Sequence, residues 1–277
     1  MMFKTRFAPS PTGLLHLGNI YSALQCESWA KEHHAALLLR IEDIDFTRCK
    51  PEFTQQMMDD LAWVGVSFDG DVMYQSQRLK LYDKALQKLI SMGVLYPCFC
   101  TRKEIQTHSI NSHALDNYPK TCCALDAEEV LKRKQNEAYA WRLDSQKVSA
   151  VVANQDLYWL DGDEKKQWFN LDDIGDVVIG RKDIQVSYHL AVVVDDAAQA
   201  ITHVIRGRDL RDSTPVHRVL QLLLGYSSPL YIHHDLLLDT QGTRLAKSKD
   251  STTLQSLREI GLSAVDVRNC IKKASIS

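Results

Sequence analysis

The twenty residues from Thr5 to Leu24, TRFAPSPTGLLHLGNIYSAL, constrain this chain more than any other stretch. Pro9 and Pro11 fix φ and push the residues before them out of the helical region, so Thr5 to Ala8 reads as extended and no helix begins before Gly13. Leu17, Ile20 and Leu24 then recur at helical spacing, which places His16, Gly18 and Asn19 in a first helical turn. Free amide N–H groups and the helix dipole favour a phosphate there, so a strand, a stiff turn and a helix start together suit a nucleotide.

The next segments keep an alternating rhythm. Ala35 to Ile41 is an apolar run broken only by Arg40, the pattern of a strand covered on both faces of a parallel sheet. It ends in Glu42, which off the carboxyl end of such a strand can hold a substrate ammonium. Helices follow at Pro51–Val64, closed by Gly65, and from about Ser76 through Tyr82, Leu86 and Leu89 to Gly93. The rhythm breaks between Val94 and about Asn170, where a charged helix at 127–136 and short strands at Tyr139–Leu143, Lys147–Val152 and Gln167–Phe169 suggest an inserted α+β subdomain. Buried strands are expected at Leu190–Val194 and Ala200–Ile205, followed by a helix from Thr214-Pro215 to Gly225. Tyr231–Asp239, a basic loop at Arg244–Lys249 and a helical tail from Thr252 close the chain.

Two side-chain groupings carry chemistry. Arg6, Ser10, Glu42, Tyr188 and Arg206 converge if the two half-domains close one sheet; two guanidinium forks and one carboxylate then match a zwitterion with an extra acidic group, glutamate or aspartate. Either arginine could instead be a structural partner of Asp43 or Asp209. Of seven cysteines, Cys98, Cys100, Cys122 and Cys123 cluster at a spacing compatible with one tetrahedral zinc, the fourth ligand open among His108, His113, Cys123 and Tyr118. The longest apolar runs are too short to cross a bilayer and no leader layout is visible, so a cytoplasmic protein with no membrane partner is expected. A net charge of −2 leaves any RNA contact to local basic patches.

PSPTGLLHLGN resembles the HIGH signature of class I aminoacyl-tRNA synthetases in the form carried by the glutamyl branch, with Asn19 in place of the second histidine. RFAPS, LRIED, SYHLA and HVIRGRDL stand in the order and approximate spacing of the same branch. RLAKS resembles the KMSKS signature, with Arg244 for its first lysine and Ala246 for its inner serine. The resemblance implies a Rossmann-type α/β catalytic domain, its halves at 1–93 and 171–250, with a zinc-containing insertion at 94–170 and a helical tail at 251–277. It implies that Arg6, Phe7, Ala8, Pro9, Ser10, Glu42, Tyr188 and Arg206 bind L-glutamate. ATP, with Mg²⁺, would be held by His16, Gly18, Asn19, Arg244, Lys247 and Ser248, with His16 and Lys247 stabilising charge on the α-phosphate and the leaving pyrophosphate. It favours Tyr118, in YPKTC, as the partner of Cys98, Cys100 and Cys122 on a structural zinc.

Full-length members carry a helical anticodon-binding region after the second signature, whereas this sequence runs about thirty residues past Ser248. That resembles truncated members of the branch, which implies transfer of glutamate to the queuosine base at the wobble position of tRNA(Asp). The alternatives are a minimal body charging a 3′ end, or a catalytically silent RNA-binding paralogue in which Asn19, Arg244 and Ala246 record lost catalysis.

Overall fold

The computed structural model describes residues 2–108, 118–237 and 253–274, which divide into two compact units. The first gathers residues 1–77, 201–211 and 229–277. It holds strands β1 (Lys4–Phe7), β2 (Ala36–Ile41), β3 (Met73–Tyr74), β9 (His203–Gly207) and β10 (Leu230–His234), with helices α1 (Leu17–Glu32), α2 (Pro51–Val64), α9 (Leu254–Glu259) and α10 (Ala264–Ala274). β1, β2 and β3 pair in parallel in that order, and β10 pairs in parallel with β9. Thr202 joins the two ladders: its N–H donates to the Lys4 carbonyl at 3.0 Å, and the Lys4 N–H donates to its hydroxyl at 2.9 Å. Farther along, the Cys26 thiol of α1 lies within hydrogen-bond reach of both the Arg6 and Ile205 carbonyls, so β1 and β9 run side by side in one direction.

Local chemistry explains the elements. Pro51 occupies the first turn of α2, where its missing N–H costs nothing, and Gly65 ends the helix at φ 79°, a left-handed conformation that glycine adopts freely. Ile20, Ala23 and Cys26 of α1 are buried against Leu37, Leu39 and Ile41 of the sheet, with Met57 and Leu61 of α2 and Leu254, Leu257, Val267 and Ile271 of the last two helices in the same core. Buried acids on α1 and α2 fasten those last helices: Arg268 of α10 reaches Glu27 at 3.0 Å, and Arg258 of α9 reaches Asp60 at 3.2 Å.

The second unit gathers residues 78–200 and 212–228. It contains α3 (Leu79–Ser91), β4 (Leu95–Cys98), α4 (Arg102–His108), α5 (Ala127–Asn136), β5 (Ala140–Leu143), α6 (Ser145–Val151), β6 (Tyr158–Leu160), β7 (Lys166–Trp168), β8 (Val178–Gly180), α7 (Tyr188–Ala198) and α8 (Thr214–Leu224). β4, β5 and β8 form an antiparallel sheet, and β6 and β7 a separate hairpin. Among the described residues no helix is long and apolar enough to cross a membrane.

Two expected strands are helices. Leu190–Val194 lies inside α7, started by the Ser187 hydroxyl accepting the Leu190 N–H; the helix packs between α3 and α8, and all five residues are buried. A helix apolar on every side has no periodicity to distinguish it from a buried strand. Lys147–Val152 falls largely in α6, where Asp144 caps the Lys147 N–H at 3.1 Å. The parallel sheet therefore gains β9 and β10 rather than a strand at Leu190, and Tyr188 is the first residue of a helix. The helix expected from Ser76 begins at Leu79 after a short 3₁₀ turn, because Ser76 is held by Asp43 instead: the Asp43 carboxylate accepts its N–H at 2.8 Å and its hydroxyl at 2.7 Å.

Candidate active site and metal cluster

The proline turn is tied to the end of β2. The Pro9 carbonyl accepts the Glu42 N–H at 2.9 Å and the Pro11 carbonyl accepts the Lys50 N–H at 3.3 Å, both prolines being buried. Glu42 is thereby fixed beside Ala8, which is half-buried, and Ser10, which is exposed. Phe7 points into the core.

His16 caps α1. Its Nδ1 accepts the Asn19 N–H at 3.3 Å while the Asn19 side-chain oxygen accepts the His16 N–H at 3.1 Å, a reciprocal capping box. Asn19 thus has a structural task at the position where the resemblance would have a second histidine. Burial lowers the pKa of His16, which keeps the ring neutral; with Nδ1 accepting, the proton belongs on Nε2, a donor suited to a phosphoryl oxygen. Gly18 makes room for this, since a Cβ there would stand 3.1 Å from both Cε1 and Nδ1 of the ring. On the C-terminal side of the expected KMSKS-like loop, Thr253 bridges to His16 and the Leu254 N–H donates to the Leu15 carbonyl at 3.0 Å. Arg244, Lys247 and Ser248 lie outside the described residues.

Arg6, Glu42 and Arg206 stand at the carboxyl ends of β1, β2 and β9, each more than nine-tenths buried. Arg6 Nη1 lies 3.5 Å from the Ile205 carbonyl. Asp43 holds Ser76, and Asp209 folds against Gly207, where a Cβ would come within 2.5 Å of its carboxylate. Two further side chains join Arg6, Glu42 and Arg206. Arg40, fully buried, approaches the Glu42 carboxylate at 3.5 Å. His233 opposes Arg206 across the β9–β10 ladder and accepts its Nε–H on Nε2 at 3.3 Å, while the Arg206 guanidinium lies 5.1 Å from the Tyr231 ring centre. Burial, then the charges of Arg206 and Arg211, push His233 down to about 3, so it is a neutral acceptor at any ordinary pH. The available signal was Tyr231-x-His233, alternate residues on one strand face. Three buried guanidiniums, Arg6, Arg40 and Arg206, bring donors to this end of the sheet that suit an anion.

Tyr188 belongs to the second unit, on the first turn of α7, its ring 5.6 Å from His217; the His217 and His189 rings share a hydrogen bond at 3.1 Å.

In that unit Cys98, Cys100 and Cys122 place their sulfurs within 4.8 Å of one another. The Tyr118 hydroxyl lies 3.6 Å from Cys100 Sγ and accepts the Cys122 N–H at 2.9 Å, and the Phe99 N–H donates to Cys122 Sγ at 3.3 Å. Donation from Cys98, then from Tyr118 and Phe99, holds Cys122 well below the usual thiol range. A thiolate ringed by two thiols and a phenol fits a soft metal ion with four protein ligands and no open position. Cys123 turns away, its sulfur 3.8 Å from the Asp144 carboxylate. His113 and the side chain of His108 lie outside the described residues.

The model of the class I tRNA synthetase (E and Q) catalytic domain matches residues 2–276. The glutamyl-Q tRNA(Asp) synthetase of Rhodobacter capsulatus is 39% identical over 96% of this chain and 99% of its own, and that of Nocardia farcinica 40% identical over 95% and 81%. The glutamate–tRNA ligase of a Hydrogenobaculum species is 36% identical over 94% of this chain but 55% of its own. Among solved structures, the glutamate–tRNA synthetase of Elizabethkingia anophelis superimposes with a TM-score of 0.74 at 26% identity, over 95% of this chain and 54% of that one, so this chain spans about half of its length.

Proposed function

Because the chain belongs to the class I tRNA synthetases of the E and Q type, and is a ligase of that family, we propose that it activates L-glutamate with ATP and passes the glutamyl group to the queuosine base at the wobble position of tRNA(Asp). The observation that carries the reading is the cationic end of the parallel sheet, where Arg6 on the middle strand stands between Glu42 and Arg206, beside a helix start capped by a neutral histidine. A guanidinium fork takes the glutamate side-chain carboxylate, and Glu42 takes its ammonium. The substrate's α-carboxylate oxygen attacks the α-phosphorus of ATP, forming the acyl-phosphate bond as the bond to pyrophosphate breaks, so no base or nucleophile from the protein is required. His16 Nε2–H and the first amides of α1 meet charge on the phosphoryl oxygens, with Lys247 assigned the leaving pyrophosphate. Mg²⁺ bound with ATP supplies further charge neutralisation. Tyr188 is assigned to glutamate binding, and Arg244 and Ser248 to ATP.

The names of the relatives support queuosine as acceptor, and the match over 99% of the R. capsulatus protein supports it over 3′-end charging. Cys98, Cys100, Cys122 and Tyr118 are assigned to a structural zinc. The test is transfer of labelled glutamate, with ATP, onto two tRNA pools differing only in queuosine. Labelling confined to the queuosine pool is expected. Equal labelling of both would assign 3′-end charging, and tRNA binding with neither pool labelled would assign a silent paralogue.

A further inference from the structure

The β6–β7 hairpin carries a grouping that none of these roles uses. Its register sets Tyr158 opposite Trp168, Trp159 opposite Gln167 and Leu160 opposite Lys166. Alternation along the strands puts Tyr158, Trp168, Leu160 and Lys166 on one face and sends Trp159 to the other, where it is buried. Trp168 is left 63% exposed, an indole in water. The Tyr158 ring stands 5.3 Å from it, and the Lys166 ammonium lies 4.3 Å from the Tyr158 ring centre and 5.4 Å from that of Trp168.

The support beneath this face is stiff. At the turn, Asp161 Oδ1 accepts the N–H groups of Asp163 and Lys165, at 3.1 and 2.9 Å, and its Oδ2 accepts the Gln167 amide at 2.6 Å. At the base, Arg218 of α8 donates to the Tyr158 carbonyl at 3.1 Å. A fixed aromatic pair, Trp168 exposed and Tyr158 half-buried, with a cation against it matches the flat face of an unstacked nucleobase and its neighbouring phosphate, and stacking on such a ring tolerates any base. Asp161, Asp163 and Glu164 beside Lys165 and Lys166 leave the tip without the positive excess of a backbone-tracking groove, so a single base rather than a long strand is the fitting ligand.

We propose that Trp168, with Tyr158 and Lys166, is a stacking platform for one unpaired base of the tRNA substrate. The assignment rests on RNA being the acceptor, as in the function proposed above. The test uses the full chain and its W168A, W168F and K166Q variants, each checked for folding by circular dichroism, with fluorescence anisotropy of end-labelled tRNA(Asp) as readout. W168A is expected to raise Kd about tenfold. W168F, which keeps a stacking face, stays within about threefold of the parent, and K166Q falls between. Unchanged affinity in W168A, or W168F as weak as W168A, overturns the platform. Unchanged affinity together with a smaller solution mass would assign the face to a protein contact and overturn it equally. Failure of the functional reading is separable: glutamate would not be transferred by the parent chain, while RNA affinity would still report on Trp168.

Discussion

Substituting Gly18 by alanine tests whether the His16 conformation, rather than the mere presence of a histidine, serves the adenylate chemistry. The added Cβ would meet Cε1 and Nδ1 of the ring at 3.1 Å, so the ring must retreat by a few tenths of an ångström and its bond from the Asn19 N–H lengthens from 3.3 Å. Losing a side-chain N-cap costs about 1 kcal/mol. Replacing glycine by alanine inside a helix returns up to about 1 kcal/mol, less in a first turn. The two nearly cancel, and the melting temperature should move by no more than about 4 °C. Activity has no such offset: a displacement below 1 Å in a group that meets the transition state should cost roughly tenfold, since about 1 Å can cost a hundredfold. The assay is glutamate-dependent ATP–pyrophosphate exchange without tRNA, alongside thermal denaturation of the same preparations. Exchange within about twofold of the parent would refute a requirement for this ring position. A fall of melting temperature well beyond the stated range would refute the cancellation.

Three further outcomes follow from particular contacts. His233 stays neutral in the folded chain to about pH 3 but protonates near 6.5 when unfolded, so its contribution is fully present above about pH 6.5 and is lost as pH falls through that window. Allowing for solvent at this partly exposed ring, denaturant melts should lose about 0.5–1 kcal/mol from this source by pH 5.5. H233N, which keeps a neutral acceptor for Arg206, should flatten that slope; an unchanged slope would remove His233 from the account. Metal analysis should find one zinc per chain, lost with a lowered melting temperature in C122S and retained in C123S, because Cys123 faces Asp144; equal loss in both would exclude the proposed ligand set. Truncating Arg268 to alanine removes donors to Glu27, Val64 and Gly65 and leaves Lys31 as the remaining ion-pair partner of the buried Glu27 carboxylate among the described residues, for a destabilisation of about 2 kcal/mol. A chemical denaturation curve indistinguishable from the parent's would contradict it.

Where proline and glycine punctuate an apolar stripe, the sequence predicted helices to the residue: Pro51 and Gly65 bracket α2, and Thr214-Pro215 and Gly225 bracket α8. Periodicity failed at α7, because burial on every side erases the polar face that would have revealed its turn. The same limit applies to side-chain groups. Arg6, Glu42 and Arg206 could be named because each closes a strand motif, but His233 becomes a neighbour of Arg206 only through the register of the finished sheet. Between Cys122 and Cys123, adjacent in sequence, the choice depends on a 3₁₀ turn that points one sulfur at Cys100 and the other at Asp144.

The bond between Arg268 and Glu27 joins residues 241 positions apart, and its consequence belongs to synthesis as much as to stability. The core faces of β1, β2, α1 and α2 emerge from the ribosome early, yet the partners that cover them include Leu254, Leu257, Val267 and Ile271. At about 5–20 residues per second, the first unit waits roughly 10–40 s with that apolar surface uncovered. The second unit receives its last segment by residue 228 and can close sooner. The half that is first to be translated is therefore the last to be completed, and its vulnerability to aggregation is set by the final two helices.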